Sequence, residues 1–350
     1  MERTDIKSLT REELAALLTA EGEKPFRASQ LYSWMHEKQV REYSEMTNLP
    51  LTLREKLAET CELTRLEIVC CQISRTDGTR KYAFRLADGN IIESVFMKYH
   101  YGSSVCVSSQ VGCRMGCRFC ASTLGGLARN LTASEMLEQV YEIGRDTGER
   151  ISHVVVMGMG EPLDNLDAVI RFLRILTDPK GAGLSQRNIT VSTCGLVPQI
   201  DALAEEKFAI TLAISLHAPN DALRRTMMPV ANRYSIREIL AACGHYFRKT
   251  GRRISFEYSL VAGVNDGPKQ AAELAALLAG MNCHVNLIPV NPVRERDYRE
   301  PTGVQVDKFK KDLEKRGINV TIRRRLGADI DSACGQLRRN ELQKEAGDHA

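Results

Sequence analysis

The chain has 350 residues, 43% hydrophobic and 26% charged, with a formal net charge of +4. This is the composition of an ordinary globular protein, long enough for one large core or two smaller ones. No stretch approaches the roughly 18 uninterrupted apolar residues of a membrane span, and MERTDIKSLTREELAALL at the N-terminus has no apolar segment of the signal-peptide kind.

A cytoplasmic protein is therefore expected. Thiols stay reduced in that compartment, so the eleven cysteines read as ligands, catalysts or core rather than as a disulfide framework. The net charge says less than its distribution. Arg323, Arg324 and Arg325 are consecutive, Arg338 and Arg339 follow, and further pairs occur at Arg224/Arg225 and Arg252/Arg253. An anionic partner would use such residues, but solvated surface charge accounts for most of them.

In chain order, residues 1–60 read as a small helical module. SLTREELAALLTAEG opens with a Thr10/Glu13 capping box, and RASQLYSWMHEKQ puts Leu31, Trp34 and Met35 on one face. That stripe reads as core, while Arg27, Lys38 and Arg41 are candidates to touch phosphate. Residues 61–100 alternate as strands do and read as a hairpin extension or linker, with RKYAFRLADGNIIESVFMKY turning at Asp88-Gly89.

From residue 101 to 337 a regular beat sets in. The β-branched runs SVCVSS, ISHVVVMG, RNITVST, AITLAISLH, RISFEYSLV, HVNLIPV and INVTIRR are separated by amphipathic helical segments such as SIREILAACGHYFRKTG. Alternating β and α elements imply a parallel sheet with crossover helices. Six or seven strands favour a partial (β/α) barrel over an open doubly wound sheet, although periodicity alone leaves both open. Residues 338–350 are expected to form a frayed tail.

The unusual residues fall where these strands end. CRMGCRFC follows the first, GMGEP the second, STCG the third, SLHAPN the fourth, VNP the sixth and GADIDSACGQ the last. In a βα barrel the C-terminal strand ends build the active site, so the motifs should converge on one mouth. Cys113, Cys117 and Cys120 form C-x3-C-x2-C. Three thiolates supply three corners of a [4Fe–4S] cube and leave one iron open. The alternative is structural zinc with Cys106 as fourth ligand, although zinc sites usually pair two C-x2-C knuckles, and here there is only one.

This cysteine spacing, with Phe119 before the last thiol, resembles the radical S-adenosylmethionine (SAM) superfamily. Gly160-Glu161 resembles the motif that receives the SAM amino group. The wider set CVSSQVGC, FCAS, RNLT, GMGEPLDN, SLHAPN, MMPVANRY, GVNDG, HVNLIPVNP and DIDSACGQL is similar to the bacterial dual-specificity RNA adenine-C2 methyltransferases, over about residues 26–337. Related resistance enzymes methylate C8 of the same ribosomal adenine; Gly160-Glu161-Pro162 and Ile288-Pro289 resemble the C2 branch more.

The resemblance implies a radical SAM fold, a partial (β/α) barrel, and a reaction consuming two SAM molecules per turnover. Cys334 would take a methyl group from the first SAM, and cleavage of the second at the cluster would make that group a radical able to add to C2. Cys106 would resolve the enzyme–RNA adduct by attacking the Cys334 sulfur, an ordinary thiolate exchange. Glu93 matches the proposed proton acceptor, although on residue type alone it is a strand carboxylate, more commonly an exposed edge residue. Gly160, Glu161, Ser192, Ser215, Leu216, His217 and Asn291 would contact SAM. A lone histidine such as His217 more often packs or caps.

The implied partners are 23S ribosomal RNA, tRNA, and a low-potential electron donor such as flavodoxin or ferredoxin, with no membrane and a monomeric enzyme. The N-terminal module resembles an RNA-binding accessory domain, and the target adenine would have to leave its stack. Cys61, Cys70, Cys71, Cys243 and Cys283 read as core or incidental, and Cys194 lies nearer the site. A reading from another class is a non-catalytic, zinc-stabilised RNA-binding protein.

Overall fold

The computed structural model describes residues 3–291, 296–330, 335–339 and 341. The N-terminal module opens with β1 (Thr4–Asp5) and three helices, α1 (Arg11–Ala20), α2 (Phe26–His36) and α3 (Leu51–Thr60). It closes with β2 (Cys61–Glu62), which pairs in parallel with β1, two residues beyond the expected boundary. The Thr10/Glu13 capping box forms at the start of α1, satisfying N–H groups that a first turn leaves without partners. Leu31 and Met35 are fully buried, so the stripe is core. The module is keyed to the rest of the chain by a buried ion pair, Lys7 Nζ to Glu138 at 2.6 Å. Its basic residues are engaged locally: Lys38 lies over the Trp34 ring, Arg27 donates to Gln30, and Arg41 is 3.6 Å from Glu142.

β3 (Glu67–Ile73), β4 (Arg80–Arg85) and β5 (Ile91–Tyr99) form an antiparallel meander. It turns at Asp88-Gly89, where the Leu86 N–H donates to Asn90 O at 2.8 Å to close the turn. The meander is not a separate linker, because β5 pairs directly with β6 (Gly102–Cys106), the first strand of the parallel set. Next come a small hairpin of β7 (Gln110–Gly112) and β8 (Leu127–Asn130), then α4 (Ala133–Thr147), β9 (Ile151–Val156), α5 (Leu166–Thr177), β10 (Ile189–Thr193), α6 (Val197–Glu205) and β11 (Thr211–Ser215). The chain continues through α7 (Asp221–Met227), α8 (Ile236–Thr250), β12 (Ile254–Leu260), α9 (Pro268–Leu278), β13 (Cys283–Pro289), α10 (Gly303–Glu314) and β14 (Val320–Ile322).

One ten-stranded sheet results, in the order β14-β13-β12-β11-β10-β9-β6-β5-β4-β3. β6 and β9 to β14 are mutually parallel and follow one another in chain order. Right-handed crossovers between strands laid down in one direction place the helices that connect them on the same face. A doubly wound sheet would reverse its order at a switch point, and none occurs. This is the partial barrel, and its concave side is left to the strand ends. Among the described residues no helix is long and apolar enough to cross a membrane.

Candidate active site

A cavity of about 450 Å³ opens at the C-terminal ends of the parallel strands. Cys106 at the end of β6, Ser192 on β10, Ser215 on β11, His217, and Asn291 beyond β13 line it together with Cys120. The Ser192 and Ser215 hydroxyls are 3.5 Å apart. Residues that are up to 185 positions apart in the chain (106 and 291) thus share one space, as strand-end convergence requires. Leu216 is buried, and its backbone N–H donates to Glu257 O. His217 holds a positive φ of 57°, accepts the Ser259 N–H at Nδ1 and meets Phe119 edge-on at 4.8 Å. Burial pushes its pKa down to about 3, so the ring is neutral and packs the cysteine loop.

The cysteine loop is clamped at its base. β7 and β8 pair antiparallel across it, and Cys113 N–H donates to Gly126 O at 2.8 Å. Gly112 has φ +81°, and a Cβ there would lie 2.0 Å from Gly126 O, so only glycine closes this neck. Further along, Arg118 N–H bonds to Met227 O at the end of α7, and the Thr123 hydroxyl donates to the carbonyls of Cys117 and Cys120. Burial raises the Cys113 thiol pKa to about 12 and pushes Cys117 and Cys120 up as well.

Among the described residues no three His, Cys, Asp or Glu side chains converge on a point that one metal ion could occupy. A cubane, whose corner ligands stand apart, needs no such convergence. Two buried thiols and the half-buried Cys120, on a clamped loop beside a cavity, fit a [4Fe–4S] cluster with an open iron facing a second ligand.

Gly160, at φ +106°, lets the second strand's loop close on Gln110, where a Cβ would sit 2.6 Å from the Gln110 Cβ. Glu161 is buried, and burial raises its pKa. Its two carboxylate oxygens accept the backbone N–H groups of Leu163 at 3.0 Å and Cys194 at 2.7 Å. The carboxylate therefore ties the loop after β9 to the loop after β10.

Glu93 departs from the expectation of an exposed edge carboxylate. β5 lies inside the ten-stranded sheet, and Glu93 is 4% exposed. One oxygen is 3.1 Å from Lys81 Nζ and accepts the Gly335 N–H at 2.6 Å; the other accepts the Arg338 N–H at 2.6 Å. Cys334 itself lies outside the described residues, as does most of the expected tail. Its neighbour Gly335 packs on the cysteine loop, where a Cβ would meet Ser122 N at 2.8 Å. The preceding segment is gripped by the turn between β3 and β4: Asp77 accepts the Gly327 N–H, and Asp329 accepts from Ser74 and Arg75.

The structure also gives three features a place that the sequence did not. Lys81, Met97 and Tyr99 from the meander wall the cavity opposite the barrel. Arg323, Arg324 and Arg325 line its rim and are exposed. Arg224 is fully buried, against the reading of its pair as surface charge, whereas Arg225 is exposed.

Residues 107–275 match the family described as the radical SAM superfamily, and residues 4–63 match a ribosomal RNA large subunit methyltransferase N-terminal domain. A probable dual-specificity RNA methyltransferase RlmN of Lachnospira eligens is 62% identical over 340 residues, covering 97% of both chains. Its counterpart in Lachnoclostridium phytofermentans is 60% identical over 343 residues, covering 98% of this chain and 96% of that one. In structure, a radical SAM methyltransferase from Sphaerobacter thermophilus superposes with a TM-score of 0.91 at 46% identity, over 95% of this chain and 98% of that chain. The clamped trio of thiols and the partial barrel are thus those of kin along the whole chain, and the protein belongs to the RlmN family of radical SAM methyltransferases, enzymes that work with a [4Fe–4S] cluster and SAM.

Proposed function

We propose that this enzyme methylates C2 of one adenine in 23S ribosomal RNA and of one in the tRNA anticodon loop, using Cys334 as methyl carrier and Cys106 as resolving thiol. The observation that carries the reading is the grip of Glu93 on Gly335, the residue after Cys334, two positions along β5 from Val95, which lines the cavity together with Cys106 and Cys120. The substrates follow from the dual specificity in the relatives' names and the ribosomal description of the N-terminal match. Gly160-Glu161-Pro162 favours C2 over C8.

When bound, the cluster and SAM supply the methyl group and a radical able to remove hydrogen from it, because an electron-poor ring carbon does not attack a sulfonium. Cys113, Cys117 and Cys120 hold the cluster. Gly160, Glu161, Ser192, Ser215, Leu216, His217 and Asn291 shape the SAM site. Glu93 fixes the carrier loop and takes the C2 proton, and the odd electron left on the adduct would be taken up by the oxidised cluster. Cys106 then attacks the sulfur of Cys334: the S–S bond forms as the S–C bond breaks, and the electron pair passes to carbon, which takes a proton to complete the methyl group. A thiol reductant must restore both cysteines. The exposed arginines at the rim meet the RNA backbone, with residues 1–60 as an accessory RNA-binding module. The enzyme works in the cytoplasm as a monomer fed by a flavodoxin- or ferredoxin-type donor.

Anaerobic turnover with methyl-labelled SAM tests this reading. Label is expected on Cys334 and in 2-methyladenosine from both RNA classes, identified by mass spectrometry against C2 and C8 standards. Label at C8, or a colourless zinc protein without iron and sulfide, would overturn it.

A further inference from the structure

Among the described residues Arg224 is the largest side chain wholly removed from solvent, and burying a guanidinium is costly unless something balances it. Its Nη2 donates to Cys194 O at 2.6 Å and Ser215 O at 3.3 Å, and its Nε donates to Leu216 O at 3.1 Å. These are neutral acceptors at the ends of β10 and β11. Nη1 is buried and has no partner, and no carboxylate pairs with the group among the described residues.

Asp221 on the same helix offsets part of the charge without forming an ion pair, and the cysteine loop offers a second source. Arg224 stands on α7, whose last residue, Met227, receives the N–H of Arg118, the residue after Cys117. The cysteine loop is thereby fastened to the helix that carries the arginine, one turn away. Burial lowers the guanidinium's pKa, and Cys194, Cys117 and the Asp221 carboxylate at the start of the same helix act against that fall. A cubane held by three thiolates is net negative and gains one more negative charge on reduction, so a fixed cation behind it favours the reduced form. The net charge around an iron–sulfur cluster is one of the levers on its potential.

We propose that Arg224 is a positioning residue that balances the charge of the reduced cluster and raises its reduction potential, bringing it within reach of the electron donor. The inference rests on the reading that Cys113, Cys117 and Cys120 hold the cluster. Arg224 touches neither substrate nor SAM in this role. It acts through the cluster.

The test compares anaerobically reconstituted wild-type enzyme, Arg224→Gln and Arg224→Lys without SAM. Iron and sulfide per chain are measured, and the reduced-cluster electron paramagnetic resonance signal is followed in a redox titration. Arg224→Gln is expected to retain the cluster but to show at least tenfold less reduced relative to oxidised cluster at a fixed poise, a shift of about 59 mV for one electron. Arg224→Lys, which keeps the charge but not the fork, is expected to titrate as wild type. A fully loaded Arg224→Gln enzyme with an unchanged potential would overturn the proposal and leave Arg224 as a strut between strand ends. Should Arg224→Gln fail to fold or to load, Arg224→Lys decides: an unchanged potential supports the charge role, and a displaced one refutes it. A wild-type preparation without iron and sulfide would instead defeat the function proposed above.

Discussion

Glu93 accepts the backbone N–H of Gly335 at 2.6 Å across a sequence separation of 242 residues. This contact joins the meander strand β5 to the loop that follows Cys334, and Lys81 backs it at 3.1 Å. Replacing Glu93 by Gln exchanges one acceptor for a donor and removes the carboxylate partner of Lys81. Methylation is expected to fall on the order of a hundredfold, with a stability loss of about 3 kcal/mol. Turnover, thermal melting and faster hydrogen exchange at residues 335–338 would report this. Undiminished turnover would show Glu93 to be neither proton acceptor nor anchor.

Cys106→Ala should accumulate RNA covalently attached at Cys334, because the sulfur–carbon bond then has no internal thiolate to break it. Cys334→Ala should form no adduct at all. Denaturing gels and peptide mapping separate the two, and a Cys106→Ala enzyme that turns over normally would remove that residue from the mechanism.

Arg324 lies exposed at the cavity rim, whereas neighbouring Arg325 pairs with Glu300 at 3.2 Å. If Arg324 neutralises one backbone phosphate, Arg324→Gln lowers the slope of log affinity against log salt by about 0.7 to 0.9. The loss should be similar for ribosomal and tRNA substrates. An unchanged slope would place the phosphate path elsewhere.

Gly112→Ala forces a Cβ to within 2.0 Å of Gly126 O in a left-handed backbone. Strain of this kind costs about 1–3 kcal/mol, and it falls on the neck that shapes the cysteine loop. Iron and sulfide content after reconstitution should drop well below wild type while far-ultraviolet circular dichroism stays unchanged. Full cluster content would mean that the neck is dispensable.

His36 is fully buried against Tyr141, 3.1 Å from its hydroxyl, and burial lowers its pKa from 6.5 to about 3. Its folded pKa lies below its unfolded one, so its contribution is complete above pH 6.5. That contribution is lost as pH falls towards 3, because only the unfolded chain takes the proton. The slope amounts to about 1.4 kcal/mol per pH unit. Urea unfolding of His36→Phe across this window should show a stability profile flatter by one proton's worth. An equally steep profile would assign the acid sensitivity to other groups.

The strand pattern was legible because it is local. ISHVVVMG, RNITVST and AITLAISLH each announce a strand by their own β-branched residues, and β9, β10 and β11 lie within them. The Thr10/Glu13 box was legible for the same reason, since both partners sit in one turn. Glu93 and Arg224 were not. Glu93 sits in the apolar run IIESVF, but neither its own segment nor that of Arg224 names the partners that make a buried charge tolerable, which arrive from elsewhere in the chain: the tail loop for Glu93, and the ends of β10 and β11 for Arg224.

The order of residues alone determined the βα rhythm, the thiol trio and the kinship, because these are read from spacing within short windows. Only folding in three dimensions decided that the meander would wall the cavity, that Glu93 would hold the far end of the chain, and that one arginine of a pair would be buried. Those outcomes depend on contacts between distant segments, where desolvation and hydrogen bonding are fixed by the sheet order and cannot be read from neighbouring residues.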